Sequence, residues 1–285
     1  MSEKPAAPKN ERETGMMVAA GIQGVGKTYR NMHIIKEYIK DKFYNKVKGR
    51  KCLIFDTNGE YTKEQFARND IENINPRVIA VKDIPAWSRS DIAEVRRIDA
   101  KNISIDEKIA IVEYIVAQLR NSMLVLEDIN TYILNMTHMK DIVSGLVNLR
   151  HRAVDVLISY QSARPVEPRI WQNARWVRMH YQADNVNDIK GKLPNVTLFK
   201  LAQIIVNNRY FSGDKRFYVY VHSFNNKIEG QFTKLEFKQA CIEYLGANKK
   251  LVKEHADMKS GSSFETAKNE LANQYFQMYY GNRDK

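Results

Sequence analysis

The chain has 285 residues, 44% of them hydrophobic, enough for one well-packed α/β domain with appendages or for two small domains. A formal charge of +12 and a pI near 9.5 favour a polyanionic partner such as nucleic acid or an anionic membrane surface. Cys52 and Cys241 match no metal-ligand spacing, no apolar stretch approaches the roughly 20 residues of a membrane helix, and the N-terminus lacks a secretory apolar core, so a reducing, cytoplasmic setting is expected.

Residues 1–14 are charged and Pro-containing and are expected to form a disordered tail. "MMVAA" (16–20) reads as a short buried strand that runs into "GIQGVGKT" (21–28), and Tyr29, Met32, Ile35, Tyr38 and Ile39 then follow at helical spacing. "KCLIFDTNGEY" (51–61) is a second strand closing in a turn, and "RVIAVKD" (77–83) a third. A polar loop around "IPAWSRS" leads to helical segments, the clearer one over 104–120. "MLVLED" (123–128) is a buried strand, 139–150 a helix, and "VDVLISY" (154–160) another strand. "ARWVRMHY" (174–181) is one more strand, 184–211 is helical, and "RFYVYVHSF" (216–224) alternates like an edge strand. Beyond Phe232 the pattern is helical and polar, with "MKSGSSFE" as a flexible joint before a last helix near 266–280.

Strands alternating with helices, several of them continuous apolar runs, predict an α/β fold with a mainly parallel sheet and helices on both faces. The expected division is a tail (1–14), a core domain (15–232) and a helical C-terminal appendage (233–285).

"GIQGVGKT" fits G-x-x-x-x-G-K-[ST] and lies between a strand and a helix, as a phosphate-binding P-loop requires. Gly21, Gly24 and Gly26, with Val25 and Tyr29 beside them, let backbone N–H groups turn towards phosphate oxygens at a helix N-terminus. Lys27 would reach the β- and γ-phosphates and the Thr28 hydroxyl would ligate magnesium. The plain alternative is a Gly-rich turn with a solvated lysine.

A buried strand delivering Glu127 and Asp128 is costly unless cations or donors meet the carboxylates. Magnesium and an attacking water supply that need, one acid holding the metal shell, partly through water, and the other positioning the nucleophile. Alternatively, Asp128 merely caps the next helix. No Asn-Lys-x-Asp base-reading element is present, so a GTPase is not indicated; "RSDIAEVRR" (89–97) leaves open a kinase with an Arg-rich lid.

The ordered set "GIQGVGKT", "LIFDTNGEY", "MLVLED" and "RHRAVDVLISYQSARP" resembles the FtsK–HerA superfamily of hexameric, RecA-like DNA-pumping ATPases. Asp56, Gly59, Glu60 and Tyr61 match the family's Asp-x-x-Gly-Glu-Tyr turn; Gln161, Arg164 and Pro165 resemble its strand-terminal Gln and following Arg-Pro. The resemblance implies that the strand carrying Gln161 lies between the strands of the two Walker motifs, with Gln161 beside the γ-phosphate. It implies that Arg150 is an arginine finger reaching a neighbouring subunit, with Arg152 as the rival. The family ends its Walker B strand Asp-Glu, whereas this chain has Glu127-Asp128, so the two roles are open to exchange.

The implied function is ATP- and Mg2+-dependent translocation of double-stranded DNA by a homo-hexamer, through sequence-independent phosphate contacts. Residues 164–216 hold ten Arg or Lys against four acids, among them Arg169, Arg175, Arg178, Lys190, Lys192 and Lys200, and "DIKGKLPN" (188–195) is the candidate DNA-gripping loop. A core of this length most resembles genome-packaging ATPases of viruses and related phages, with a motor that transfers mobile-element DNA as the other possibility, which implies a host-cytoplasmic or virion-associated setting and a capsid, portal or other assembly partner. Alternatives of other classes are an assembly and export ATPase of the zonula occludens toxin-like kind and a nucleotide switch that recruits an assembly partner.

Overall fold

The computed structural model describes residues 14–41, 48–133, 136–258 and 262–282. All but the last residue of the expected disordered tail, and 259–261 of the expected joint, lie outside them. Among the described residues nine strands form one mixed sheet: β1 (Met16–Ala20), β2 (Lys51–Asp56), β3 (Arg77–Val78), β4 (Val95–Asp99), β5 (Ser122–Leu126), β6 (Val154–Tyr160), β7 (Ala174–His180), β8 (Tyr218–His222) and β9 (Lys227–Gly230). Their order is β3-β4-β2-β5-β6-β1-β7-β8-β9, which sets β6 between β5 and β1. The helices are α1 (Lys27–Ile39), α2 (Lys63–Arg68), α3 (Ile84–Arg89), α4 (Ile105–Gln118), α5 (Met136–Asn148), α6 (Pro168–Asn173), α7 (Val196–Phe211), α8 (Lys234–Ala247), α9 (Lys249–Met258) and α10 (Phe264–Tyr279). The chain divides into two compact units, Thr28–Ile158 with the stretch ending at Met16, and Met17–Lys27 with the chain from Ser159 on.

In the first unit, β3, β4, β2, β5 and β6 pair in parallel, with Phe55 opposite Leu126 and Leu126 opposite Ile158. Every residue of β2 and β5 is buried, which is why 52–55 and 123–126 read as unbroken apolar runs rather than as alternation. Helix α4 starts at a reciprocal capping box between Ser104 and Glu107 and packs on α5, where Gly145 faces Val116. The Asp155 carboxylate accepts from the Gly15 amide (2.8 Å) and the Tyr38 hydroxyl (2.7 Å), tying the approach to β1 and the far end of α1 to β6.

In the second unit, β7, β8 and β9 are antiparallel, with Val177 opposite Val221 and Val221 opposite Ile228. These three residues are buried, and α7 packs against all three strands. Helices α7, α8, α9 and α10 pack in succession, and Phe232, Phe237, Phe276 and Tyr280 form an aromatic cluster. The free thiols Cys52 and Cys241 are both buried; burial pushes the Cys241 thiol up to about 12. Among the described residues no helix is long and apolar enough to cross a membrane.

Four expectations are corrected. The strand expected over 77–83 ends at Val78, and a 3₁₀ turn occupies Val81–Asp83. "IPAWSR" is helix α3, because Pro85 lies in the first turn, where its missing N–H costs no helical bond. Strand β4 runs through "VRRID" and overlaps the end of the stretch read as a possible kinase lid: Arg96 pairs with Glu94 (2.9 Å) and Arg97 with Asp56 (3.5 Å) and Asp99 (3.4 Å), so these arginines are built into the sheet. Finally, β8 is not an edge strand, since β9 pairs with its outer side.

Replacing Asp155 with Ala removes the carboxylate that accepts from the Gly15 amide and the Tyr38 hydroxyl. Urea denaturation is expected to show a loss of about 1–3 kcal/mol; an unchanged midpoint would remove this contact from the account of how α1 is held.

Candidate nucleotide site

The loop 21–27 is fixed at its start by two backbone bonds in the second unit. Gly21 N–H donates to the Tyr160 carbonyl (3.2 Å) and Ile22 N–H to the Tyr181 carbonyl (3.0 Å), anchoring the loop to the tips of β6 and β7. A Cβ on Gly21 would stand 2.6 Å from His180 Cβ, so a side chain there would push the loop off its anchor. Gly24 and Gly26 have φ of +83° and +85°, the left-handed region that other residues enter at a cost. Val25 points inward, 2% exposed, and pins the loop between these glycines.

Lys27 is buried and folds back over the loop, its Nζ donating to the carbonyls of Gly21 (2.7 Å) and Ile22 (2.9 Å). Its own carbonyl accepts from Arg178 Nη2 (3.2 Å), and Arg178 Nε donates to His180 Nε2 (3.0 Å). Arg178 is fully buried, so its expected place among DNA-gripping cations is corrected: it supports the loop from within. Helix α1 has no acidic residue in its first turn, leaving the positive end of its dipole for an external anion.

Thr28 and the following helix belong to the first unit, as do the "DTNGEY" turn and the acidic pair. Asp56, fully buried at the end of β2, accepts backbone bonds from Gly59 (2.9 Å), Glu60 (3.0 Å) and Tyr61 (3.1 Å), so one carboxylate shapes the whole turn. The turn delivers two side chains. Glu60 Oε2 accepts from the Thr28 hydroxyl at 2.8 Å. The Tyr61 hydroxyl donates to Glu127 Oε1, which also accepts from Asn31 Nδ2 at 2.5 Å. Burial, reinforced by Glu127, holds the Tyr61 phenol well above its ordinary pKa, so it remains a donor. Thus Thr28 and Asn31, one turn apart on α1, meet Glu60 and Glu127 respectively.

Glu127 is 3% exposed and lies just beyond the last residue of β5. Asp128 has φ 44° and ψ 45°, a left-handed conformation that Asp and Asn enter more readily than other non-glycine residues. Its carboxylate makes no capping bond to the 3₁₀ turn that follows; its backbone carbonyl does that work, accepting from Thr131 N and Oγ1, both at 2.8 Å. The carboxylate instead accepts from Asn58 Nδ2 (3.3 Å), from the same turn that carries Glu60.

Of the other expected site residues, Gln161 directly follows Tyr160, whose carbonyl is held by Gly21. Tyr29 is half-buried with its ring edge-on to His33. The two candidate arginine fingers separate clearly. Arg152 Nη1 donates to the carbonyls of Val116 and Ala117, each at 2.7 Å, closing the C-terminal end of α4. Arg150 is exposed and makes no side-chain hydrogen bond or ion pair among the described residues. Lys192 is bonded to the carbonyls of Arg164 (2.7 Å) and Val166 (3.5 Å), whereas Arg169 and Lys190 are exposed.

Asn31 and the loop-supporting role of Arg178 escaped the sequence reading. Asn31 carried a weak signal, an amide one turn beyond Thr28 on a helix whose inward face is otherwise apolar. Arg178 carried none, because an arginine in an alternating strand reads as solvated.

The family model for the central domain of the helicase HerA matches residues 20–208, two thirds of the chain. The chain belongs to this family. Its HerA core includes the loop, the Asp56 turn, the acidic pair and Gln161, and ends within α7. No curated relative matches the chain. Among solved structures, B204, the DNA-packaging ATPase from Sulfolobus turreted icosahedral virus, is 14% identical with a TM-score of 0.50, covering 76% of this chain and 97% of its own. The genome-packaging NTPase B204 from Sulfolobus turreted icosahedral virus 2, in complex with AMP, is 13% identical with a TM-score of 0.46, covering 77% and 98%. The first likeness agrees with the P-loop NTPase fold of a HerA-family chain.

The contrast between the two arginines is open to a stability measurement. Arg152→Ala removes the partner of two carbonyls and is expected to cost about 1–3 kcal/mol in chemical denaturation. Arg150→Ala, on an exposed side chain, is expected to change stability by less than about 0.5 kcal/mol. Equal losses would refute the division of labour.

Proposed function

We propose that the chain binds ATP on residues 21–28, hydrolyses it with Mg2+, and uses the cycle to move double-stranded DNA. The observation that carries this reading is the convergence on one helix of a P-loop threonine and two carboxylate-bearing elements: Thr28 meets Glu60, and Asn31 meets Glu127. A P-loop that served only as a structural turn would not need a second turn, shaped by Asp56, to bring acids to its helix. Membership of the HerA family supports the reading, and the B204 neighbour that shares the fold is itself a DNA-packaging ATPase.

Thr28, Glu60 and Glu127 offer only oxygen donors, the chemistry Mg2+ prefers. In this proposal Thr28 and Glu127 hold the ion, Glu127 partly through water, and the bound ion would neutralise charge on the phosphate oxygens. Asn31 and Tyr61 orient Glu127 by donating to it. Asp128 positions or deprotonates the lytic water, and its left-handed backbone aims the carboxylate away from the turn it precedes. Gln161, next to the residue that anchors Gly21, senses the terminal phosphate. Lys27 leaves its loop carbonyls for the β- and γ-phosphates, and Arg150 completes the site of a neighbouring copy in a homo-hexamer. Residues 15–232 carry the motor and 233–285 an appendage. The exposed cations Arg169 and Lys190 contribute to a phosphate-directed grip on DNA, and the role is genome packaging with a capsid or portal partner.

Steady-state ATPase assays test the reading. Lys27→Ala is expected to abolish hydrolysis, and Gln161→Ala to slow it or uncouple it from DNA. Arg150→Ala should lower the rate about 10³-fold or more while ATP still binds; wild-type turnover in this variant would end the finger assignment. Double-stranded DNA should stimulate the wild-type enzyme, with an affinity that falls with salt at a slope of about −0.9 per phosphate contacted. Hydrolysis indifferent to DNA would favour a nucleotide switch in assembly over a motor.

A further inference from the structure

Residues 21–28 address the phosphate end of the proposed nucleotide. Three aromatic rings beside the same loop address the other end. Tyr181 immediately follows β7 and its carbonyl accepts from Ile22 of the loop at 3.0 Å. Its ring lies on that of Tyr210, centroids 3.7 Å apart and planes within 7°, and Phe211 meets Tyr181 and Tyr210 edge-on at 5.4 and 5.6 Å.

Tyr210 and Phe211 are the last residues of α7. The helix stops in a turn in which Gly213 N–H donates to the Tyr210 carbonyl (3.2 Å) and Asp214 N–H to that of Arg209 (3.0 Å). The chain then returns past Lys215, whose ammonium stands 4.0 Å from the Tyr210 centroid, to Arg216. Arg216 Cγ and Cδ come within 3.8 Å of the point a Cβ on Gly26 would occupy. One short segment, 210–216, therefore sets two rings and two cations alongside the phosphate loop.

The Tyr181 ring covers one face of Tyr210 and Lys215 the other, so nothing slots against that ring. Phe211 remains, 69% exposed and braced by two neighbouring rings. An isolated exposed aromatic needs no explanation. This one is continuous with a stack whose first member is hydrogen-bonded to the loop, and an exposed cation lies on the side towards Gly26. That arrangement matches an amphipathic ligand with a flat π-face at one end and anionic charge at the other.

We propose that Phe211, backed by the Tyr181–Tyr210 stack, is the platform for the purine ring of the bound nucleotide, with Arg216 facing the phosphates. The proposal rests on the nucleotide reading of residues 21–28. Titration calorimetry on the full-length protein tests it, using ATP and inorganic tripolyphosphate as separate probes. Phe211→Ala should weaken ATP roughly 5- to 150-fold, the range for losing one base–aromatic stack, and leave tripolyphosphate unchanged; Phe211→Trp should restore ATP affinity. Unchanged ATP affinity in Phe211→Ala overturns the platform, as does an equal loss for both probes, which would mark a structural effect on the loop. Wild-type protein that binds neither probe overturns the nucleotide reading and the platform with it, a result distinct from wild-type binding that Phe211→Ala leaves intact.

Discussion

A carboxyl group taken out of water must be met by hydrogen-bond donors, and Glu127 imposes that constraint on the first unit. Its Oε1 is met by Asn31 from α1 and by Tyr61 from the turn after β2. Those partners come from points 96 and 66 residues away in the chain, so one buried oxygen fixes β5, α1 and the Asp56 turn to each other. Once these are fixed, the positions of Thr28, Glu60, Asn58 and Asp128 follow, because each is within a few residues of one of the three.

The second unit poses the complementary problem with a buried cation. Arg178 is fully buried, and the Lys27 carbonyl and the His180 ring are among the groups that accept its hydrogen bonds. A guanidinium braced in this way is a rigid support beneath the residue expected to contact phosphate. Gly21 is held to Tyr160 and Ile22 to Tyr181, so the loop is anchored at its beginning by backbone and at its end by a side chain. Between these anchors Gly24 and Gly26 hold the left-handed backbone that turns the loop.

The sequence was most legible where burial is two-sided. The runs "MMVAA", "MLVL" and "VDVLISY" are strands where they were expected, since a strand covered on both faces needs apolar residues throughout. It was least legible where charges are neutralised by distant partners. Strand β4 contains two arginines in five residues, and their acids lie on β2, on the residue before the strand and at its end. Helix α3 hid behind a proline that is harmless in a first turn, and β9 behind a short polar sequence whose pairing depends on β8.

The sequence alone determined the phosphate loop, the ordered strand-tip motifs and the family, because glycine spacing and adjacent acids are local constraints written in consecutive residues. It also placed Gln161 at the end of a strand, and the sheet order sets that strand between β5 and β1. Only the tertiary structure decided which of two neighbouring arginines is committed to the chain's own backbone, and that Arg178 is an internal support. It alone showed how Tyr61 and Asn31 share one carboxylate oxygen. These are pairings across tens of residues, and a side chain's role there depends on which partner the fold brings within hydrogen-bonding distance, which no local pattern encodes.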